Sequence, residues 1–193
     1  MEEIRLHPIG IIHSPFTDPR DTPIQSAAGP DVRATVEVYP EFSEGLQDLE
    51  GFSHLILLFH CHRVNKFSLK VFPFMDSVPR GVFATRAPSR PNSIGLSVVR
   101  LLSRTENILT IQEVDILDGT PLLDIKPYIE DFDVRRHTRK GWLENKVGRL
   151  HSTRDDSRFV QEYGRAEDSA RVQEERKVRE DGGPREGRKE EDG

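Results

Sequence analysis

The most regular stretch of the chain is residues 32–39, where apolar and polar side chains alternate along V-R-A-T-V-E-V-Y. The valines and the alanine of this run share one face of an extended chain, because successive side chains of a strand point to opposite sides. This period of two predicts a half-buried strand. A continuous apolar run at residues 55–60 predicts a second strand, buried in the centre of a sheet.

Other short apolar segments predict further strands, and helical patterns are few. The additional strands are predicted at residues 4–13, 69–72, 82–85, 96–102, 108–116 and 122–125. Short helices are predicted at residues 41–49 and 137–146. Many short strands with few helices favour an all-β barrel or sandwich. Strands and helices do not alternate, which argues against a doubly wound nucleotide-binding fold.

Charge divides the chain into two regions. The formal net charge is −5, from 28 basic and 33 acidic residues, but about half of all residues from Glu144 onward are charged. Such a composition lacks the apolar surface that offsets the entropy of ordering. We therefore expect one globular domain at residues 4–143 and a charged, flexible C-terminal extension at residues 144–193.

Several classes of protein are disfavoured by composition. No apolar run approaches the roughly 20 residues that span a bilayer, and the acidic N-terminus lacks the apolar segment of a signal peptide. The single cysteine cannot form an internal disulfide. These features predict a cytoplasmic protein with no membrane partner. An acidic total argues against a uniformly basic surface, yet it leaves room for a local basic patch.

The segment at residues 81–97 carries candidate chemistry and reads G-V-F-A-T-R-A-P-S-R-P-N-S-I-G-L-S. Arg86 and Arg90 stand in a loop that Pro88 and Pro91 stiffen. Prolines lower the entropy lost when guanidinium groups are held in place, so the loop is suited to an anion or a phosphate. The pairing of both arginines with nearby carboxylates is an equally weighted alternative.

The sequence His60-Cys61-His62 invites comparison with a metal site, because His60 and His62 share one face of a strand. Cys61 points to the opposite face, and no carboxylate cluster lies nearby in the sequence. We therefore expect no metal. A thiolate at Cys61 is also disfavoured, because the residue follows an apolar strand.

Four elements of the chain resemble the TsaA-like family, also called the YaeB or TrmO family. They are P-I-G-I-I-H-S-P at residues 8–15, G-F-S-H-L at 51–55, the F-A-T-R and R-P-N-S-I-G-L-S segments at 83–97, and D-I-L-D-G-T-P-L-L-D-I-K-P-Y at 115–128. The resemblance extends from Leu6 to about Trp142. It implies a β-barrel that binds S-adenosylmethionine and methylates the N6 amine of threonylcarbamoyl-adenosine 37, next to the tRNA anticodon. It also implies a homodimer with the active site near the subunit interface.

The resemblance further implies roles for individual residues. The implied cofactor-binding residues are Pro23, Ile24, Gln25, His62, Arg63, Arg86, Leu96, Asp118, Gly119, Thr120 and Pro121. Arg90, Pro91 and Asn92 resemble residues on the tRNA side. Candidates for the reactive centre are Asp124, Lys126 and Tyr128. For His62, a hydrogen-bonded structural role is the alternative.

A basic cluster near the end of the domain is a second candidate tRNA contact. Arg135 and Arg136 begin this cluster, and the equally weighted alternative is the solvated start of a helix. A different class of function is also possible: a barrel that holds S-adenosylmethionine or RNA without turnover. The retained R-P-N and D-G-T-P elements favour the enzyme.

Overall fold

The computed structural model describes residues 3–20, 22–28 and 31–160. Within these residues the chain forms eight strands, which are β1 (Gly10–His13), β2 (Arg33–Val38), β3 (His54–His60), β4 (Lys70–Val71), β5 (Arg80–Gly81), β6 (Ile94–Thr105), β7 (Ile108–Gln112) and β8 (Thr120–Pro127). Six of them close into a barrel in the order β1-β2-β7-β6-β3-β8, and β4 pairs with β5 separately. All pairings are antiparallel. The predicted all-β class is confirmed. The six-stranded sheet closes on itself, so the fold is a barrel and not a sandwich.

Strand β2 shows the predicted alternation. Val36 and Val38 are buried, whereas Arg33 and Glu37 are exposed. Val36 lies opposite Ile12 of β1 and Leu109 of β7 in the two flanking registers. A shift of the register by one residue would turn this apolar face to solvent, so the sequence pattern specifies the pairing.

Strand β3 is central, as predicted, because it pairs with both β6 and β8. Leu55 and Leu57 are fully buried, but Ile56 and Leu58 between them are only half-buried. The strand therefore has one face inside the barrel and a second face that is partly covered. The inward residues join a core cluster of fourteen buried apolar side chains.

Strands β1 and β2 approach each other closely at Gly10. A Cβ atom at this position would lie 2.2 Å from the carbonyl oxygen of Glu37. Backbone atoms cannot move aside as a flexible side chain can, so this pairing requires glycine.

The helical segments are short. The described residues include six 3₁₀ helices, at Ser26–Ala28, Pro40–Leu46, Leu49–Gly51, Val82–Ala84, Gly141–Leu143 and Val147–Ser152, and α1 (Glu130–Asp133), which is one turn. The strand predicted at residues 82–85 is wrong, because Val82–Ala84 forms a 3₁₀ turn whose Val82 carbonyl accepts hydrogen bonds from Thr85 and Arg90. The helix predicted at residues 41–49 is divided between two 3₁₀ helices, and the helix predicted at residues 137–146 is limited to Gly141–Leu143.

The domain continues beyond the predicted boundary after Leu143. Phe159 is 3% exposed and packs in a second apolar cluster with Val71, Val82 and Ala87. The backbone N–H of Asp155 donates to the carbonyl of Thr22 at 2.9 Å. The compact unit accordingly ends at Val160. The flexibility expected for the remainder of the extension concerns residues 161–193, which lie outside the described residues.

In the described part of the chain, no helix has the length and apolar character that a membrane crossing requires.

Candidate functional site

A cavity of about 830 Å³ lies at the end of the barrel where β3 ends and β6 and β8 begin. Connections between strands supply much of its lining. These are Pro19 and residues 22–25 between β1 and β2, residues 83–88 and Arg90 between β5 and β6, and residues 115–117 between β7 and β8. The loops of a barrel are free to diverge in sequence while the strands hold them in place, so such an end is suited to a binding site.

Two of the predicted cofactor-binding segments meet in this cavity. The Arg86 guanidinium donates from Nη1 to Oε1 of Gln25 at 2.8 Å, across 61 positions of sequence. The Gln25 amide group in turn donates to the carbonyl of Ile24 at 2.7 Å. This orientation turns the Gln25 carbonyl oxygen toward the arginine, which links the loop at residues 23–25 to the F-A-T-R segment.

Asp115 is a cavity residue that the sequence analysis quoted within a motif but did not select. Its Oδ1 atom accepts a hydrogen bond from Ser97 Oγ at 2.6 Å. Burial raises the pKa of Asp115 to about 6, and the Ser97 hydrogen bond and the Arg86 charge oppose that shift. The available signal was the place of Asp115 at the start of D-I-L-D-G-T-P, three residues after β7 ends.

Asp155 is a second carboxyl group in the cavity lining. Burial raises its pKa to about 6, and the backbone N–H of Ser157, which donates to Oδ1 at 2.6 Å, lowers it. This residue falls in the predicted charged extension, where no site residue was expected. No local pattern marks it, because its environment is created by the packing of residues 141–160.

His62 lies in the cavity with Nδ1 at 3.3 Å from Oγ1 of Thr120. The Thr120 hydroxyl donates its proton to the carbonyl of Leu117 at 2.7 Å, so it can only accept from the imidazole. This assigns the proton of a neutral ring to Nδ1. Burial, followed by the nearby Arg63 charge, lowers the pKa of His62 and favours the neutral form.

The structure separates the predicted cofactor-binding residues into two groups. Eight line the cavity, namely Pro23, Ile24, Gln25, His62, Arg63, Arg86, Leu96 and Thr120. Asp118, Gly119 and Pro121 do not line it and face β1 instead. Oδ1 of Asp118 accepts from the Ser14 backbone N–H at 3.1 Å, the Gly119 N–H donates to Ile12, and Pro121 lies opposite Ile11.

Arg90 lines the cavity, and backbone carbonyls hold its side chain. Its Nη1 donates to the carbonyl oxygens of Val82 and Thr85, at 3.0 and 2.8 Å, and its guanidinium lies 5.8 Å from the centre of the Phe83 ring. Arg90 therefore holds the loop that carries Arg86. Pro91 and Asn92 are exposed beside it.

The three candidates for the reactive centre lie along β8 and just beyond it. Asp124 and Lys126 pair with each other at 2.7 Å, and the Tyr128 ring packs edge-on against His54. Asp124 is four residues beyond Thr120, which is about 13 Å along an extended strand. None of the three lines the cavity. In a single chain they are therefore apart from the cavity and from the predicted cofactor-binding residues that line it.

Arg135 and Arg136 are exposed and follow α1, in a stretch without helix. The helix start considered as an alternative is therefore absent from residues 134–140. Nη1 of Arg135 donates to the carbonyl of Phe132. Both side chains lie outside the cavity lining.

The described residues contain no group of three histidine, cysteine or acidic side chains able to hold a metal ion. Burial raises the pKa of the Cys61 thiol to about 11. The thiol is thus protonated at neutral pH, in line with the expectation that a thiolate is disfavoured here.

Fold and site together define a small closed barrel with a ligand-sized cavity of mixed polar and apolar lining, formed largely by loops at one barrel end. Residues 11–134 match the family model described as the tRNA-methyltransferase O N-terminal domain. The chain belongs to this family, which confirms the resemblance found in its sequence motifs.

Relatives of known name agree with this assignment. The chain is 62% identical over 152 residues to a probable S-adenosyl-L-methionine-binding protein of Pyrococcus abyssi, covering 79% of this chain and 83% of the relative. It is 38% identical over 135 residues to the mouse (Mus musculus) tRNA (adenine(37)-N6)-methyltransferase, covering 65% of this chain and 31% of the relative.

A solved structure is similar as well. The crystal structure of TrmO from Pseudomonas aeruginosa matches with a TM-score of 0.61 and 40% identity, covering 73% of this chain. The match spans 63% of the TrmO chain, less than two thirds of its length.

Proposed function

We propose that the protein binds S-adenosylmethionine in the cavity and transfers its methyl group to the N6 amine of adenosine 37, next to the anticodon of a tRNA. The observation that carries this proposal is the convergence of Gln25, Arg86 and Asp115 at the cavity of a barrel from the tRNA-methyltransferase O family. The names of the mouse and Pyrococcus abyssi relatives support the substrate and the cofactor, respectively.

The cavity fits S-adenosylmethionine in size and in chemistry. Its volume of about 830 Å³ lies within the range of roughly 300–1,000 Å³ that is usual for small-molecule sites. The methionine part of the cofactor carries a carboxylate and an ammonium group. The Arg86 guanidinium can pair with the first and the Asp115 carboxylate with the second. Apolar lining residues such as Ile24, Ile116 and Leu117 suit the adenosine part.

The bound cofactor supplies an activated methyl group, and the protein contributes chiefly the position of the reactants. The link between Arg86 and Gln25 fixes one end of the site, and Arg90 keeps the Arg86 loop in shape. The amine loses a proton as the new bond forms. The neutral His62 and the ionised Asp115 are cavity groups able to accept a proton.

The finer features of the proposal concern the modified substrate and the assembly. We propose threonylcarbamoyl-adenosine as the target, in an anticodon loop whose single-stranded bases can be turned outward. The exposed Pro91, Asn92, Arg135 and Arg136 are proposed tRNA contacts. We also propose that Asp118, Gly119 and Pro121 contribute to cofactor binding, because the turn that they form leads into β8. A tRNA-modifying role also supports a cytoplasmic location.

The proposed homodimer bears on the reactive centre. Asp124, Lys126 and Tyr128 stand apart from the cavity of their own chain. Their predicted catalytic role requires a second chain that brings them to the bound cofactor. Light scattering measures the oligomeric state, and we expect a dimer in solution. A monomer that methylates tRNA at full rate would contradict this part of the proposal.

The direct experiment combines binding and turnover. Calorimetric titration with S-adenosylmethionine is followed by methyl transfer from labelled cofactor to tRNA with and without the threonylcarbamoyl modification. We expect binding, and label only in the modified tRNA. Label in both tRNAs would contradict the substrate proposal, and absence of cofactor binding would contradict the function itself.

The second candidate is a barrel that binds S-adenosylmethionine without turnover. Two observations favour it: archaeal relatives are named as binding proteins, and the predicted catalytic residues lie away from the cavity. Cofactor binding with no label in tRNA of either kind would support this candidate against the enzyme.

A further inference from the structure

One wall of the cavity comes from a part of the chain beyond the family domain. The family match ends at residue 134, yet the lining includes Trp142, Leu143, Val147, Leu150, Asp155 and Phe159. We call residues 142–159 the C-terminal wall. Most of this segment falls within the predicted charged C-terminal extension.

The C-terminal wall is anchored by an ion-pair cluster. The Asp76 side chain, 4% exposed, lies 2.7 Å from Nζ of Lys146 and 2.8 Å from Nη2 of Arg80. The two cations hold the pKa of Asp76 well below its usual range. Both also lie over the ring of Trp142, at 5.7 and 5.8 Å from its centre. Asp76 thus organises the cations that flank the tryptophan.

Two hydrogen bonds join the wall to the loops that carry predicted cofactor residues. Nε1 of Trp142 donates to the carbonyl of Ala84 at 2.8 Å, two residues before Arg86. The N–H of Asp155 donates to the carbonyl of Thr22 at 2.9 Å, next to Pro23. A displacement of the wall would therefore be transmitted to both loops.

Apolar packing completes the attachment. Phe159 lies edge-on to Phe74 with ring centres 5.0 Å apart, and it packs with Val71, Val82 and Ala87. Phe74 and Phe159 both line the cavity. The packing that holds the wall and the lining of the cavity are therefore partly the same side chains.

We propose that the C-terminal wall is part of the cofactor-binding site, with Trp142 at the bound ligand and Asp76 as the positioning residue that holds the wall in place. This proposal rests on the proposed binding of S-adenosylmethionine in the same cavity. It extends the binding site to residues that the family match does not cover.

Trp142 provides a direct test, because it is the only tryptophan of the chain. Titration of the full chain with S-adenosylmethionine is followed in parallel by calorimetry and by tryptophan fluorescence. We expect the fluorescence to change with the same Kd as the heat. Heat without a fluorescence change would overturn the proposal for the wall while leaving cofactor binding intact. Absence of heat would instead contradict the proposed function.

Variants of the anchor test the role of Asp76. Asp76→Asn should raise the Kd for S-adenosylmethionine roughly tenfold, about the effect of one lost charge-assisted hydrogen bond. It should also alter the fluorescence response. The matched control is Asp131→Asn, an exposed aspartate outside the cavity lining, which should leave both unchanged. An unchanged Kd in Asp76→Asn would overturn the positioning role.

Lys146 gives a second comparison that does not depend on the folding of Asp76→Asn. Lys146→Met keeps an apolar stem but removes the charge, and it should raise the Kd. Lys146→Arg keeps the charge and should restore near-normal binding. Equal loss of affinity in both variants would contradict an electrostatic anchor.

Discussion

The two apolar clusters of the molecule are built by different means. The barrel core unites fourteen buried side chains from hydrogen-bonded strands and adjoining segments. The second cluster has four, Val71, Val82, Ala87 and Phe159, taken from short elements and a loop outside the barrel sheet. There the backbone carbonyls are held by side chains, as Arg90 and Arg158 show. The barrel provides a stable frame, and the second cluster shapes the cavity through fewer contacts that are easier to change.

The largest loss of stability is expected from a substitution in the barrel core. Leu57 is fully buried in β3. Leu57→Ala should lower the free energy of unfolding by about 3 kcal/mol, because the surrounding strands cannot close the space left behind. Chemical denaturation measures the change. Leu102→Ala, at a residue 37% exposed on β6, is the control, and an equal loss there would contradict the assignment of the core.

A smaller loss of stability is expected in the second cluster. Phe159→Ala should cost about 2 kcal/mol, below the roughly 3–5 kcal/mol usual for a buried phenylalanine, because the four-residue cluster around this ring can relax into the space. The same denaturation measurement applies, with cofactor affinity measured in parallel. If Phe159→Ala destabilised the protein more than Leu57→Ala, the second cluster would be the dominant core and the comparison would be reversed.

A variant of Arg86 should change cofactor affinity without changing the stability of the fold. Its exposed guanidinium bonds to Gln25 rather than to the core, so Arg86→Ala should leave the melting temperature nearly unchanged. Cofactor affinity should fall at least roughly tenfold, the loss of a charge-assisted contact. Arg33→Ala, an exposed arginine of β2, is the control. Unchanged calorimetric affinity in Arg86→Ala would remove this residue from the site.

The pH dependence of cofactor affinity gives the smallest expected effect. Burial raises the pKa of Asp115 to about 6, so its carboxyl group is neutral below that pH and charged above it. The charged form attracts the cationic parts of S-adenosylmethionine. Affinity should therefore rise severalfold between pH 5 and pH 7, and Asp115→Asn should show little of this rise. If the affinity of Asp115→Asn still rose with pH, the group responsible would be His62 or Asp155.

The free energy of unfolding should fall as the pH rises, whereas the affinity for the cofactor should rise. An unfolded aspartate ionises near pH 4, whereas Asp115 and Asp155 ionise at about pH 6 in the folded state. Between these values the folded protein binds more protons, so the free energy of unfolding falls as the pH rises. Thermal melts of the native chain and of Asp115→Asn measure this contribution.

Prediction from sequence succeeded where the signal was local or carried by long motifs. The alternation at residues 32–39 became β2, and the apolar run at residues 55–60 became the central strand β3. The F-A-T-R segment contributed Arg86 to the cavity. Short apolar runs were less informative, because the 3₁₀ turn at Val82–Ala84 is stabilised by Arg90 from outside the run.

The amino-acid sequence by itself determined the six barrel strands, their inward faces and the family, because side-chain alternation and long motifs are properties of contiguous residues. Only the tertiary structure decided which residues share the cavity. Barrel closure brings Gln25 to Arg86 across 61 positions, and packing converts residues 142–159 from a charged segment into a cavity wall. The environments of Asp76 and Asp115 likewise arise from distant neighbours. Such contacts depend on the fold as a whole, and no local pattern encodes them.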